Sequence, residues 1–131
     1  MSIQNEINSP EPEPWGLSTL SALIAKTRFR FNDERELQDG VEALFKANAV
    51  PYTREYILSP TNRIDFLCGR VGVEIKIKSS MPTVQRQLWR YASDDRIDAL
   101  ILVTTLTKHR GIAREMQKKP VFVAYLLSSI F

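Results

Sequence analysis

The chain has a single cysteine, Cys68, and a single histidine, His109. One thiol excludes an internal disulfide framework, and one Cys with one His cannot furnish a Cys/His zinc centre. No apolar run approaches the roughly 18 residues of a membrane-spanning helix. The start of the chain lacks the basic-then-apolar layout of a signal peptide, so a cytoplasmic location and no membrane partner are the expectation. Beyond a short N-terminal tract there is no low-complexity segment and no internal repeat.

What remains is ordinary globular material: 131 residues, 44% hydrophobic, enough for one domain with its own core. The net charge of +3 is unevenly spread. Residues 1–16 hold Glu6, Glu11 and Glu13 and no basic residue, so the 18 basic side chains of the remainder meet 12 acids, a balance of +6. A basic body suits a phosphate-rich partner through steering and counterion release. Pro10, Pro12 and Pro14 alternate with acids, which predicts a flexible leader over 1–16 and a domain over 17–131.

Apolar periodicity places the elements. Leu20, Leu23 and Ile24 predict a short helix within Trp15–Thr27. Asn32 or Asp33 is positioned to cap a second helix reaching Asn48, with Leu37, Val41, Leu44 and Phe45 as its buried stripe. Glu34 lies one turn before Leu37 on that stripe. Alternation predicts strands over 52–58, 63–68 and 71–78, and 82–93 reads as a helix with Pro82 in its first turn. The nearly continuous apolar run 97–104 suits a strand covered on both faces. A short helix over 110–118 and a last strand over 121–126 complete an α/β sandwich with a mixed sheet and helices on both faces.

The most informative stretch is Arg63 to Lys78. A two-residue turn at Gly69-Arg70, type II′ by its leading glycine, pairs Cys68 with Val71, Phe66 with Val73 and Asp65 with Glu74. Lys76 shares the face of Glu74. Ile64, Phe66, Cys68, Val71, Val73, Ile75 and Ile77 form the apolar face, with Cys68 as a small core residue. Two like charges opposed across a ladder are destabilising. A hard divalent cation reverses that sign, because it takes carboxylate oxygens.

Arg63-Ile64-Asp65 and Val73-Glu74-Ile75-Lys76, preceded by a helix opening Glu34-Arg35-Glu36-Leu37, resemble the PD-(D/E)xK nuclease superfamily. The helix opening and the strands after it resemble archaeal Holliday-junction resolvases and small phage-type nucleases. Gln87-Leu-Trp-Arg-Tyr91 resembles the Gln-x-x-x-Tyr motif of the RecB-like and lambda-exonuclease-like branch. The resemblance covers about residues 30–104 and departs from the usual pattern at Ile64, where a proline is common. It implies a restriction-endonuclease-like α/β sandwich, a central mixed sheet flanked by helices. It also implies Mg²⁺, with Mn²⁺ able to substitute, held by Asp65, Glu74 and the Ile75 carbonyl, with Glu34 as a ligand directly or through water. Lys76 is then expected to orient or help deprotonate the attacking water, with Gln87 and Tyr91 positioning lysine, water or phosphate.

Other readings stand beside these. Glu36 competes with Glu34. Gln87 and Tyr91, four apart on one helical face, also fit an ordinary surface. Arg86 and Arg90 form a second such pair suited to phosphates, and Lys78 is a phosphate contact or a solvated lysine. Lys26, Arg28 and Arg30 form a DNA-contacting arm or solvated charge. Trp89 reads as packing rather than base stacking, and His109 as a loop bystander rather than a substrate contact. The functional expectation is a Mg²⁺-dependent DNA endonuclease acting on branched or junction DNA as a homodimer. The alternatives are an exonuclease of recombination or repair, and a non-catalytic nucleic-acid-binding module on the same fold.

Overall fold

The computed structural model describes residues 15–126. The predicted leader falls outside them, apart from Trp15 and Gly16. Among the described residues three helices, α1 (Leu17–Ala25), α2 (Glu34–Ala47) and α3 (Met81–Ala92), pack on one open sheet. Its strands are β1 (Thr53–Ser59), β2 (Asn62–Cys68), β3 (Val71–Ile75), β4 (Ala99–Thr104), β5 (Glu115–Met116) and β6 (Lys119–Tyr125). They lie in the order β1-β2-β3-β4-β6-β5. Neighbours β3, β4 and β6 run parallel and the remaining pairs antiparallel, so the sheet is mixed, as expected.

Two apolar layers cover its faces. On one, Leu20 and Ile24 of α1 and Leu37, Val41 and Phe45 of α2 pack with Phe66, Val73, Ile75 and Ile101. On the other, Val84, Leu88 and Ala92 of α3 pack with Ile97, Leu100 and Leu102. β4 lies between two parallel neighbours and is buried along its whole length, which accounts for its apolar run Ala99–Val103. Asp33 caps α2 by accepting the Glu36 N–H at 2.8 Å, and Glu36 in return accepts the Asn32 N–H at 2.7 Å. Leu44 is only half-buried beside Phe45.

The hairpin turn is as expected: Cys68 pairs with Val71 around Gly69, whose φ is 60°. Cys68 is buried, and burial pushes its thiol up to about 12, so it stays an uncharged core side chain.

Three expectations are corrected. The strand expected to reach residue 78 ends at Ile75. Ile64 does not join Phe66 on the α1/α2 face; it sits in the α3 layer. The β1–β2 ladder joins Arg54 to Phe66 and Tyr56 to Ile64 but omits the pair between them. Glu55, at that break, has a left-handed φ of 54°. Gly72 leaves the space that Ile64 enters: a Cβ on Gly72 would lie 2.5 Å from Ile64 Cδ1. Gly72→Val is therefore expected to lose about 1–3 kcal/mol through overpacking, read as a lower denaturation midpoint with unchanged m-value; unchanged stability would refute the coupling of Gly72 to Ile64.

The third correction concerns the helix predicted over 110–118. Residues Thr107–Gly111 form a 3₁₀ turn, and Glu115–Met116 pairs antiparallel with Lys119–Pro120. Ile112 and Met116 are both buried, so their four-residue spacing mimicked a helical face. The hairpin turn uses Gln117 and Lys118 at φ 52° and 63°, without the Asn-Gly signature that marks such turns. His109 is fully buried and anchors this segment. Its Nε2–H donates to the Ser79 carbonyl (2.9 Å), because a carbonyl can only accept, leaving Nδ1 to accept the Thr104 hydroxyl (2.7 Å). The histidine is neither bystander nor substrate contact: it ties the end of β4 to the linker between β3 and α3.

Candidate active site

The site forms where β2 and β3 separate. Their ladder stops at Phe66–Val73, one pair short of Asp65 and Glu74. The expected opposition is present, but side chains replace the main-chain bonds. Glu74 Oε1 accepts the Asp65 N–H at 3.1 Å, and Asp65 Oδ2 accepts the Ile75 N–H at 2.8 Å. The two carboxylates thus cross over and cap the amides that the opened ladder frees. Within a strand, the N–H and C=O of one residue point the same way. The Ile75 carbonyl is therefore directed to the opened side, toward Asp65.

Glu74 is 1% exposed. Besides Asp65, its neighbours are Lys76, whose Nζ lies 3.4 Å from Oε2, and Tyr91, whose hydroxyl lies 3.3 Å from the same oxygen. Tyr91 is also buried, its hydroxyl turned inward to the site rather than to the surface. Its one hydroxyl proton is shared between the Arg63 carbonyl at 2.8 Å and Glu74, and it accepts the Gln87 Nε2–H at 2.7 Å. Gln87 and Tyr91 thus do act as a pair, reaching the site through Glu74 and β2.

Burial chiefly, and then the Asp65 charge, pushes the Glu74 carboxyl up to about 8; Lys76 and the Asp65 amide pull the other way. The Asp65 carboxyl is also raised, first by burial, against the Ile75 amide and Lys76. Burial also raises the Tyr91 phenol, with Glu74 adding to it, so it stays protonated.

Glu34 and Glu36 are now distinguished. Glu36 is exposed and committed to the α2 cap. Glu34 is half-buried, its Oε2 accepts the Ile77 N–H at 3.3 Å, and its charge raises Asp65. It flanks the carboxylate pair by holding the backbone just beyond Lys76. Among the described residues no three of His, Cys, Asp and Glu converge as a metal-ligand group. In this arrangement one Glu34 oxygen is bonded to the Ile77 amide, and the carboxylate still lies near enough to Asp65 for its charge to act there.

Lys78, Arg28, Arg30, Arg86 and Arg90 are all exposed. Phe29 is buried between Arg28 and Arg30, which leaves both arginines at the surface. Arg90 Nε donates to Asn62 Oδ1 at 3.2 Å. Trp89, read as packing, is instead 51% exposed. Its helical phase falls off the Val84–Leu88–Tyr91 stripe, a signal already present in the spacing. No protein-family model matches the chain, and neither a curated protein nor a solved structure matches it.

Proposed function

We propose that this chain is a divalent-metal-dependent deoxyribonuclease that hydrolyses phosphodiester bonds, on a restriction-endonuclease-like variant of its α/β sandwich. One observation carries the reading: the β2–β3 ladder opens at Asp65 and Glu74, and two carboxylates meet there with the Lys76 ammonium beside them. Buried, mutually repelling carboxylates are the donor set a hard cation satisfies.

Mg²⁺ or Mn²⁺ would be held by Asp65, Glu74 and the Ile75 carbonyl, with Glu34 acting through water. Bound there, the ion supplies Lewis-acid stabilisation of the phosphate and a water of lowered pKa. The protein's own groups do the rest. Lys76, its side chain 20% exposed, presents its ammonium where negative charge develops on the phosphate. Tyr91 fixes the Glu74 carboxylate from behind, and Gln87 fixes Tyr91. Glu34 holds the main chain at Ile77, which sets the direction of the segment just past β3 that carries Lys76. An endonuclease acting on branched DNA as a homodimer is the finer form of this proposal; linear against circular substrates separate it from an exonuclease.

The test is DNA cleavage with Mg²⁺ and with chelator, beside Lys76→Ala. Cleavage is expected only with the metal, and the variant is expected to lose about 10²–10³-fold in rate. Cleavage that persists at the wild-type rate in Lys76→Ala would sink the mechanism.

A second reading has its own support. Among the described residues every buried side-chain N and O atom has a hydrogen-bond partner. Asp65 and Glu74 would then be a metal-free staple of the opened hairpin in a nucleic-acid-binding module. Titration calorimetry separates the two, since a staple yields no Mg²⁺ or Mn²⁺ binding heat that depends on Asp65 and Glu74.

A further inference from the structure

The outward face of α3 sets an exposed tryptophan among basic side chains. Pro82, Gln85, Arg86, Trp89 and Arg90, spaced as one helical face, line a shallow hollow of about 480 Å³. Half of Trp89 is open to solvent, two guanidinium groups flank it, and no acid lines the hollow. At about 100° per residue, the order around the helix runs from Tyr91 and Gln87, beside Glu74, to Arg90, then Arg86, then Trp89. The arginines therefore lie between the carboxylate site and the tryptophan. Arg90 is held by Asn62 on β2, the strand that carries Asp65.

We propose that this face binds an unpaired stretch of the nucleic-acid strand, with a base stacked on Trp89 and the flanking phosphates on Arg90 and Arg86. The proposal rests on the phosphodiesterase reading above and names its substrate class: DNA with single-stranded nucleotides next to the cut. Charge complementarity decides the occupant. A second apolar protein surface would strip water from two arginines without pairing them, at a cost, whereas phosphates satisfy both and a base supplies the flat apolar face that Trp89 lacks. Duplex DNA keeps its bases stacked inside and offers Trp89 no such face.

Binding is measured in chelator, so that it does not depend on cleavage, using a labelled single-stranded oligonucleotide and its duplex. Tryptophan fluorescence is expected to be quenched by the single strand, and the quench is expected to vanish in Trp89→Phe. Trp89→Ala is expected to weaken single-strand affinity about tenfold and to leave duplex affinity nearly unchanged, while Trp89→Phe keeps most of the affinity. The double change Arg86→Gln, Arg90→Gln is expected to flatten the salt dependence by roughly 1.4 in log–log slope, about 0.7 for each phosphate contact. Wild-type affinity in Trp89→Ala, equal losses for single strand and duplex, or a dimer that Trp89→Ala dissociates would each overturn the proposal. If these binding effects appear but no metal-dependent cleavage is found, the hydrolysis reading fails and this surface stands. If cleavage is found without them, only this inference falls.

Discussion

Glu74→Gln is expected to abolish metal-dependent DNA cleavage while making the metal-free protein more stable at alkaline pH. The substitution keeps the side chain's shape and an oxygen for the Asp65 amide. It removes the negative charge that sits almost fully buried beside Asp65. Several kcal/mol of transition-state stabilisation depend on a catalytic cation, and at about 1.4 kcal/mol per decade the loss is roughly 10³-fold or more. Divalent-metal binding heat should vanish with it. The two effects run in opposite directions because the ionised carboxylate is a cost to the fold and an asset only to a cation. A variant that cuts DNA at the wild-type rate would remove Glu74 from the mechanism. One that loses activity together with its fold would show the carboxylate to be structural.

Stability itself is expected to depend on pH and metal in a linked way. The folded-state Glu74 carboxyl stands near 8, above its ordinary value of 4.5, and Asp65 is raised in the same sense. Between those limits the folded chain holds more protons than the unfolded one, so stability falls as pH rises through that window. A tenfold difference in proton affinity between folded and unfolded chain is worth about 1.4 kcal/mol, so the whole fall amounts to several kcal/mol. A cation that binds only the ionised, folded pair stabilises by mass action, so its effect grows as the protons leave. Thermal melts in chelator at about pH 5 and about pH 9 should therefore differ more than melts with excess Mg²⁺. Glu74→Gln should flatten the chelator series. Identical pH profiles with and without metal would contradict cation binding at this pair.

Periodicity carried much of the architecture because each side chain's face follows from its position in a regular element. Leu37, Val41 and Phe45 recur every four residues and all face the sheet. Ala99–Val103 is apolar throughout because it lies between parallel neighbours under helices on both faces. The Gly69 turn set the register that brings Asp65 to Glu74. The segment after β4 misled for the same reason: Ile112 and Met116 carry a helical interval without a helix, and Gln117-Lys118 carries a turn without turn residues.

By itself, the sequence determined a mixed α/β sandwich and the meeting of two acids and a lysine at the end of one hairpin. Those features follow from alternation, helical spacing and a glycine at the turn, all local properties. Only the tertiary structure decided that the ladder opens at Asp65, that Ile64 crosses to the α3 face above Gly72, and that Glu34 commits its carboxylate to Ile77. It also decided that Tyr91 is buried against Glu74 while Trp89 stands open to solvent. Each of these depends on which distant backbone amide or side chain arrives within hydrogen-bond or packing distance. That is a property of elements brought together, and no single stretch of sequence carries it.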